Sequence, residues 1–506
     1  MLANMKFRWL ILALAVALSA TEPNQATRRW WAHVTALSGD SLKGRDTGSE
    51  GYRQAAAYVV AQFERNGLKP AAERGFYQTV PLHELRFMSD RSSVELQRAS
   101  GTEKLEWLRQ ITVPARPGLP ETIDAPLVFR GSGEAPAGIN LNGKILVELS
   151  AGTAGRGSRG GAPGGIAGTL SIDRVGGAEP PRWPAQYAVQ MTIRGEAAAG
   201  RGVAGSPGLA LRFNPEFAEK LFAGSGHTYR ELAALREQQK PLPWFAIPGA
   251  LKAHLVFEIR DLQSDNIIAS LPGTDPALAS QYIAVSAHLD GYGIGSPWGT
   301  DNIYNGTFDD AAYVATLIDM AERLHESGTK LKRSLLFCVF TGEEKGLLGS
   351  KYFTAHPTVP RQELMADINL DQLRPLFPLH TLTMLALDDS TLGDTARQVA
   401  GSMDIKIQPD PEPERNLLRR ADHYSFMQIG VPATGFIFGY VPGTSDEAAY
   451  REWYAKRYHT PLDDLNQPWV PEAAAKFNDF FNKLVATLAN AEEPPRWKPG
   501  STFAKQ

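Results

Sequence analysis

The residues from Ser334 to Ser350 read SLLFCVFTGEEKGLLGS. The first part, Ser334–Thr341, is a near-continuous apolar run, which is typical of a strand buried on both faces of a sheet. A glycine and two glutamates follow, and the pattern over roughly Gly346–Ala355 predicts a helix. A buried strand, an acidic turn and a helix in this order indicate an α/β fold.

The same pattern recurs on both sides of this stretch. Further apolar runs predict strands at Ile267–Leu271, Tyr282–Ala287, Met365–Leu370 and Pro432–Phe438. A helical pattern lies between them at Asp310–Leu324. We therefore predict a mixed, mostly parallel central sheet covered by helices on both faces, with ligands bound beyond the carboxyl ends of its strands.

The N-terminal half has a different sequence pattern. Residues 28–87 look mainly helical, with a helix predicted over Ser49–Asn66 and ended by Gly67. From residue 120 to residue 250, short β runs alternate with loops rich in glycine and proline, which predicts an inserted, mostly β domain. The predicted organisation is 1–20 export signal, 21–119 first part of the main domain, 120–250 insert, 251–490 main domain, and 491–506 C-terminal tail.

Composition sets the outer limits. The 506 residues are 43% hydrophobic and 21% charged, with a net charge of −3. These values exclude a mainly disordered chain, a coiled coil and a polytopic membrane protein, and they favour no nucleic-acid partner. The single cysteine, Cys338, lies in the apolar run, so we expect a buried, unreactive thiol.

The N-terminus has the pattern of an export signal. Lys6 and Arg8 precede the apolar run Trp9–Leu18, and the small residues Ser19 and Ala20 follow. The run is too short to span a bilayer comfortably. We expect a mature chain beginning near residue 20 in the periplasm or outside the cell, without stable membrane insertion. A retained N-terminal anchor is the alternative, and the oligomeric state stays open.

Acidic residues and histidines follow the predicted strands. In chain order they are His288, Asp290, Asp309, Asp310, Glu343, Glu344, Asp371 and, late in the chain, His459. Because strand ends meet at one edge of such a sheet, two imidazoles and at least three carboxylates would come together there. Carboxylates so close repel one another and have raised pKa values, and divalent cations relieve that repulsion.

This donor set suits zinc. Two zinc ions sharing one carboxylate would hold a bridging hydroxide, which is a nucleophile at neutral pH. The pair Glu343 and Glu344 offers one ligand and one general base, which takes the proton of the water and passes it to the leaving amine.

The sequence also resembles the co-catalytic di-zinc exopeptidases, which include secreted bacterial leucine aminopeptidases and glutamate carboxypeptidase II. The resemblance spans residues 265–490 and touches Leu42–Ser49. Five motifs in the order of the family carry it: Ser286–Asp290, Gly306–Asp310, Thr341–Ser350, Asn369–Asp371 and Tyr458–Pro461.

The resemblance implies a role for each matching position. Asp309 would bridge two zinc ions, His288 and Asp371 would complete one site, and Glu344 and His459 would complete the other.

Glu343 would be the general base, and Asp290 would orient the ring of His288. Tyr458 matches a position whose hydroxyl steadies the developing oxyanion in some relatives. Asp422 and His423 resemble a further motif near the site, as second-shell or substrate-side residues.

Two positions depart from the family. Tyr313 stands where relatives usually carry a small residue, and Thr307 replaces a more usual alanine. Neither change removes a donor atom, but Tyr313 puts the close packing of this helix start in question.

The resemblance implies a secreted or periplasmic zinc metallo-exopeptidase acting on peptides or proteins, and it favours an aminopeptidase. A carboxypeptidase, a glutaminyl-cyclase-like enzyme with one zinc, and a metal-free receptor-like scaffold are the alternatives. The insert resembles a protease-associated domain by position and texture.

Two further signals have simpler interpretations. Gly155–Gly160 matches a dinucleotide fingerprint, but no helical pattern follows, so we interpret it as a loop. Arg415, Arg419 and Arg420 are interpreted as a solvated face, with contact to a substrate carboxylate as the alternative.

Overall fold

The structure is a computed structural model that describes residues 23–150, 165–174, 182–196, 209–371 and 374–504. The predicted export signal and the Gly155–Gly160 loop lie outside these ranges. Within them, no helix combines the length and the apolar character needed to cross a membrane.

Strands alternate with helices over the second half of the chain. The strands are β1 (Lys69–Pro70), β2 (Tyr77–Phe87), β3 (Ser93–Arg98), β4 (Gly101–Lys104), β5 (Ile111–Thr112), β6 (Thr122–Phe129), β7 (Ile145–Leu149), β8 (Gly168–Ile172), β9 (Val189–Ile193), β10 (Leu209–Phe213), β11 (Phe245–His254), β12 (Phe257–Leu271), β13 (Tyr282–His288), β14 (Gly293–Trp298), β15 (Asp301–Tyr304), β16 (Ser334–Phe340), β17 (Leu364–Leu370), β18 (Thr381–Met384), β19 (Lys406–Gln408) and β20 (Ala433–Phe438). The helices are α1 (Gln25–Ser38), α2 (Glu50–Arg65), α3 (Glu219–Phe222), α4 (Tyr229–Glu237), α5 (Ala312–Ser327), α6 (Leu348–Ala355), α7 (Thr391–Gly401), α8 (His423–Gln428), α9 (Ser445–Lys456) and α10 (Pro471–Asn490). Each strand and helix predicted in the α/β region is present, with most ends shifted by a few residues, but β12 begins at Phe257, well before the predicted Ile267.

The main sheet has the order β19-β18-β20-β17-β13-β16-β12-β2-β9, with β1 paired to β12. The central strands β20, β17, β13 and β16 run parallel, as predicted. From β16 outward through β12, β2 and β9 every pairing is antiparallel. The expectation of a mostly parallel sheet is therefore only partly correct. It holds for the centre and for the edge pair β18 and β19, whereas β2 and β12 are joined through the insert and not by a crossover helix.

Helices cover both faces of the main sheet, as predicted. On β16, Leu335, Phe337 and Val339 pack in the core under α1, α2, α5 and α10. The alternating residues Leu336 and Cys338 pack toward α6 and α8. The thiol of Cys338 is fully buried, and burial raises its pKa well above the ordinary value.

The prediction of a mainly helical segment over residues 28–87 is wrong in its last part. Helices α1 and α2 form, and Ser49 caps α2 by accepting a hydrogen bond from the backbone N–H of Tyr52. Tyr77–Phe87, however, is a strand with largely alternating burial that pairs with β12 along its whole length. The free energy gained from this long strand pairing favours a strand over a helix for these residues.

The inserted region is mostly β, as predicted, but it begins earlier than residue 120. Its eight-stranded sheet has the order β4-β3-β11-β6-β7-β8-β10-β5, so it already includes Ser93–Arg98. Strand β9 leaves this sheet and forms the edge of the main sheet beside β2. The resemblance of the insert to a protease-associated domain stays a prediction.

Tyr313 fits into the helix start that it was expected to disturb. Its ring is fully buried and packs 5.7 Å from that of Phe477, measured between centroids. Its hydroxyl donates to the carbonyl of Phe436 at 3.4 Å. A short turn of π type, Thr307–Ala311, precedes α5, so the helix begins at Ala312 and not at Asp310.

Candidate metal centre

Three neighbouring parallel strands deliver most of the predicted donors to one edge of the main sheet. His288 is the last residue of β13, and Asp371 comes directly after β17. Glu343 and Glu344 follow β16 after a two-residue turn. The carboxyl ends of parallel strands open on the same edge, which is why these side chains converge.

The remaining two donors come from outside the sheet. Asp309 lies in the turn before α5, and His459 lies in the loop after α9. Asp309 reaches both histidines: Oδ1 is 3.3 Å from Nε2 of His288, and Oδ2 is 3.2 Å from Nε2 of His459. Nε2 of His459 is also 3.4 Å from Oε2 of Glu344.

The five predicted metal ligands therefore form two triads that share Asp309. We call His288, Asp309 and Asp371 the strand triad, and Asp309, Glu344 and His459 the loop triad. Within each triad the potential ligand atoms all lie within 4.8 Å of one another. The sequence-based grouping of these residues is the one that the structure brings together.

The donor atoms fit a pair of divalent cations. Among the described residues, the buried atoms Oε1 of Glu344 and Oδ1 of Asp371 have no hydrogen-bond partner. A buried carboxylate oxygen without a partner is destabilising, and coordination of a cation would satisfy it. Imidazole nitrogen together with carboxylate oxygen is a ligand set that zinc accepts.

The pKa values reflect the crowding of negative charge. Burial raises the pKa of Glu344 well above its usual range, and the charge of Asp309 adds to the effect. Burial and Asp309 likewise raise the pKa of Asp371 to about 7. Burial lowers the pKa of His288, but the carboxylates of Glu343 and Asp310 outweigh it, so that this pKa lies well above its ordinary value. Bound cations would offset this crowding and favour the ionised carboxylates.

Glu343 lies beside the triads without belonging to either. Its Oε2 is 3.8 Å from Nε2 of His288, and its side chain is 9% exposed, at the wall of a cavity. Burial, together with the charge of Asp371, raises its pKa well above the ordinary value. A carboxylate with a raised pKa next to a metal centre suits general acid–base work.

Asp290 orients His288, but through its backbone and not through its carboxylate. Nδ1 of His288 is 3.0 Å from the carbonyl oxygen of Asp290 and 3.8 Å from its nearest carboxylate oxygen. A carbonyl can only accept, so Nδ1 carries the proton and Nε2 is left to bind a metal. The carboxylate of Asp290 instead accepts the backbone N–H of Glu343 at 3.0 Å and the hydroxyl of Thr47 at 3.0 Å.

His459 is held differently. Its φ of +56° lies in the left-handed region, which is strained for a residue other than glycine. Its Nδ1 is 3.1 Å from the hydroxyl of Tyr292, and its ring stacks on Tyr458 with centroids 3.6 Å apart. Sequence reasoning missed Tyr292, because only the fold reveals that it meets a residue so far along the chain.

Further residues that sequence reasoning missed shape the turn around Asp309. The carboxylate of Asp463 accepts the backbone N–H groups of Phe308 at 3.0 Å and Asp309 at 3.1 Å. Fully buried Arg45 donates to the carbonyl of Gly306 at 3.0 Å, and Arg45 lies in the Leu42–Ser49 motif. Asp463 comes four residues after His459 in the sequence, which was the only local signal for it.

Comparison with known proteins agrees with this geometry. Residues 266–485 match the model of peptidase family M28. We call this matched part of the chain the M28 domain. It contains all five triad residues together with Glu343.

Curated relatives match part of the chain at low identity. Leupeptin-inactivating enzyme 1 of Streptomyces exfoliatus is 24% identical over 247 residues, which are 47% of this chain and 51% of that protein. The probable leucine aminopeptidase 2 of Aspergillus oryzae is 26% identical over 242 residues, 44% of this chain and 45% of that protein. The chain spans about half the length of these curated relatives.

Solved structures share the fold over most of the chain. An aminopeptidase from Aneurinibacillus sp. strain AM-1 has a TM-score of 0.58 at 19% identity, covering 92% of this chain and 95% of that one. A zinc aminopeptidase from Bacillus subtilis has a TM-score of 0.56 at 16% identity, covering 93% and 97%. The likeness in fold therefore extends beyond the M28 domain into the inserted region.

The three remaining predicted site residues, Tyr458, Asp422 and His423, lie outside the two triads. The hydroxyl of Tyr458 accepts a hydrogen bond from Nη2 of Arg420 at 3.2 Å at the cavity wall. Asp422 is buried, burial raises its pKa to about 6, and its charge adds to the raised pKa of Asp371.

His423 is not one of the metal donors. Its Nε2 donates to the carbonyl of Leu418 at 2.9 Å, and burial lowers its pKa to about 4, so the ring is neutral at physiological pH. This hydrogen bond joins the first residue of α8 to the turn that precedes the helix.

Two cavities share part of their lining, including Glu344 and His459. The smaller, about 310 Å³, is lined by the carboxylates of Asp309, Glu343 and Glu344 and by the cations Lys351, Arg419 and Arg420. The larger, about 850 Å³, continues from Glu344 and His459 to the inserted region, where Thr112–Ala115 and Ala185–Ile193 form its wall. The inserted region and the M28 domain thus share the wall of the larger cavity.

Proposed function

We propose that this protein is a zinc metallo-exopeptidase of the aminopeptidase type. The observation that carries the proposal is the pair of triads sharing Asp309, with Glu343 outside both triads and at the wall of the same cavity. His288 and Asp371 would hold one zinc ion, Glu344 and His459 the other, and Asp309 both. Bound there, the zinc ions supply a water of lowered pKa and polarise the carbonyl of the scissile bond.

The residues of the chain carry the proton. Glu343 accepts a proton from the attacking water and passes it to the nitrogen of the leaving amine, so that water is divided between acid and amine products. The hydrogen bond from the backbone N–H of Glu343 to Asp290 holds this residue in place. Tyr458, whose hydroxyl accepts a hydrogen bond from Arg420, would stabilise the negative charge that develops on the carbonyl oxygen.

Two exopeptidase types have support. Two of the curated relatives are described as probable leucine aminopeptidases, which favours an aminopeptidase. The cations Lys351, Arg419 and Arg420 in the lining of the smaller cavity would instead suit a C-terminal carboxylate, so a carboxypeptidase is the second candidate.

A glutaminyl-cyclase-like enzyme and a metal-free receptor-like scaffold have less support. The cyclase needs one zinc ion, whereas the donor sets for two are complete here. A metal-free scaffold does not require five metal donors and a general base, yet all six residues are present here.

A substrate panel tests the proposal. Aminoacyl nitroanilides, N-acetylated peptides and C-terminally amidated peptides are incubated with the purified protein, with and without a chelator. We expect cleavage that N-acetylation abolishes and that the chelator stops. Loss of cleavage on C-amidation alone would favour the carboxypeptidase, and cleavage insensitive to the chelator would contradict both.

Glu343→Gln is the matched variant for this assay. The amide cannot accept the proton of the water, so we expect turnover to fall roughly 10²–10⁴-fold with zinc content unchanged. Turnover near that of the wild type would refute the role of Glu343 as base.

We also propose that residues 1–20 direct export, on the basis of Lys6, Arg8 and the apolar run Trp9–Leu18. N-terminal sequencing of protein recovered from the periplasm or the medium should find a start near residue 20. Full-length protein in the cytosol would contradict export.

A further inference from the structure

We propose that residues 182–187 of the inserted region, here called the clamp segment, are positioning residues for the loop triad. They fix the backbone and the ring of His459 and thereby set the affinity for the metal ion on that side. The proposal rests on the proposed function, because it concerns the zinc ions assigned there.

Arg182 holds the end of α9, from which the ligand loop departs. Its Nη1 donates to the carbonyl of Ala455 at 2.5 Å and its Nε to that of Tyr458 at 3.1 Å. Its Nη2 donates to the carbonyl of Tyr454. The last carbonyls of a helix have no partner within the helix, so a cation there both satisfies them and complements the helix dipole.

Gln186 holds the ligand residue itself. Its side-chain Nε2 donates to the carbonyl oxygen of His459 at 3.1 Å. His459 has a left-handed backbone, and a strained conformation of this kind persists only where the surroundings impose it. Arg182 and Gln186 bind the carbonyls of Tyr458 and His459, one on each side of the strained residue, so they are such surroundings.

Tyr187 contacts the ring of His459 indirectly, through Tyr292. Its hydroxyl donates to the carbonyl of Tyr292 at 2.8 Å, and the hydroxyl of Tyr292 is 3.1 Å from Nδ1 of His459. Lys345, whose side chain is 2% exposed, donates to the hydroxyl of Tyr187 at 3.3 Å and pairs with Asp46 at 3.1 Å. The tyrosine that orients the ligand ring is thus itself located by the insert.

Further hydrogen bonds fix the clamp segment in place, so it can hold the ligand loop in a defined position. The backbone N–H of Ala185 donates to the carbonyl of Leu108 at 2.6 Å, and its carbonyl accepts the hydroxyl of Ser296 at 2.5 Å. The indole N–H of Trp183 donates to Asp173 at 2.9 Å.

In the described part of the chain, the hydrogen bonds that hold His288 of the strand triad come from outside the insert. The ring of His288 is bound by the carbonyl of Asp290 at 3.0 Å, and its backbone N–H by the carboxylate of Asp310 at 3.1 Å. Both partners belong to the M28 domain. Disturbing the clamp segment should therefore weaken one metal site and spare the other, which a general loss of stability would not do.

The experiment measures both zinc affinities of the full-length protein by equilibrium dialysis against zinc buffered over a range of free concentrations. The double variant Arg182→Gln with Gln186→Leu should keep one site at wild-type affinity and bind the second zinc about 10–100-fold more weakly. Arg230→Gln is the matched control, because Arg230 is an exposed arginine of the same inserted region. It should bind both ions as the wild type does.

The outcomes separate this inference from the proposed function. A wild-type protein that binds fewer than two zinc ions overturns the proposed function. A wild type that binds two, with a folded double variant whose affinities are both unchanged or both reduced alike, overturns only the role of the clamp segment. Should circular dichroism show the double variant unfolded, Gln186→Leu alone removes one hydrogen bond and is judged by the same criteria.

Discussion

The strand triad and the loop triad contain similar donors but are built in different ways. His288 and Asp371 stand at the ends of adjacent parallel strands, and the side chain of His288 is 1% exposed. His459 lies in a loop with a left-handed backbone, and its side chain is 21% exposed. One triad follows from the register of the sheet, whereas the other depends on α9, Tyr292 and the inserted region.

This difference indicates unequal metal sites. Strands in the middle of a sheet place donors rigidly, because their backbone hydrogen bonds fix them on both sides. A loop ligand must be held by individual contacts, and each contact that is lost gives the donor more freedom. We therefore expect the strand triad to bind its zinc more tightly than the loop triad.

Asp309→Ala should have the largest effect, since Asp309 is the residue that the two triads share. We expect both zinc ions to be lost under limiting zinc and cleavage to fall to background. Because metal binding stabilises the native state, added zinc should raise the melting temperature of the wild type but not that of the variant. The exposed Asp388→Ala is the control. Retention of one tightly bound zinc in Asp309→Ala would show that a triad functions without the shared carboxylate.

Tyr292→Phe should separate the two triads. The change removes the hydroxyl that contacts Nδ1 of His459 and keeps the aromatic ring. We expect the weaker zinc site to lose about tenfold or more in affinity, the tighter site to stay unchanged, and activity to recover in excess zinc. Tyr304→Phe is the matched control, because the hydroxyl of Tyr304 donates to the carbonyl of Ser296 and not to His459. Equal weakening of both sites would contradict the independence of the triads.

Asp319→Asn should have the smallest effect, because Asp319 lies in α5, which follows the turn of Asp309, and is not one of the metal donors. Asp319 is buried in α5 and paired with Arg323 at 2.6 Å, and burial raises its pKa from 3.8 to about 6. The native state thus binds this proton more tightly than the unfolded chain, so ionisation of Asp319 lowers the free energy of unfolding as the pH rises through this window.

The variant cannot ionise at this position. We expect its free energy of unfolding to rise relative to that of the wild type between pH 4 and pH 7, by on the order of 2 kcal/mol, and both zinc affinities to be unchanged. Denaturant unfolding at several pH values measures the difference. A difference that does not vary with pH would contradict the raised pKa of Asp319.

The strand triad could be predicted from the sequence because strand ends are local features. The apolar runs before His288, Glu343 and Asp371 locate the strands, and parallel packing then brings their ends together. The resemblance supplied the assignment of Asp309 and His459, which periodicity alone could not place.

What could not be predicted depends on contacts between distant parts of the chain. Tyr292 meets His459 across 167 positions, and Arg182 meets Tyr458 across 276 positions. The choice of atom was equally hidden, since the sequence does not reveal that Asp290 contacts His288 through its carbonyl oxygen. The start of the inserted sheet at Ser93 was missed because β3 carries few apolar residues.

Strand β9 has a consequence for protein engineering. It belongs by sequence to the inserted region but by hydrogen bonding to the main sheet, where it is the edge next to β2. A chimera that exchanges all residues between β2 and β12 for the corresponding piece of a relative would also remove β9, the edge strand of the main sheet. Splice points that leave residues 182–193 in place avoid this damage, so recombination libraries should treat the insert as two exchangeable blocks separated by a retained one.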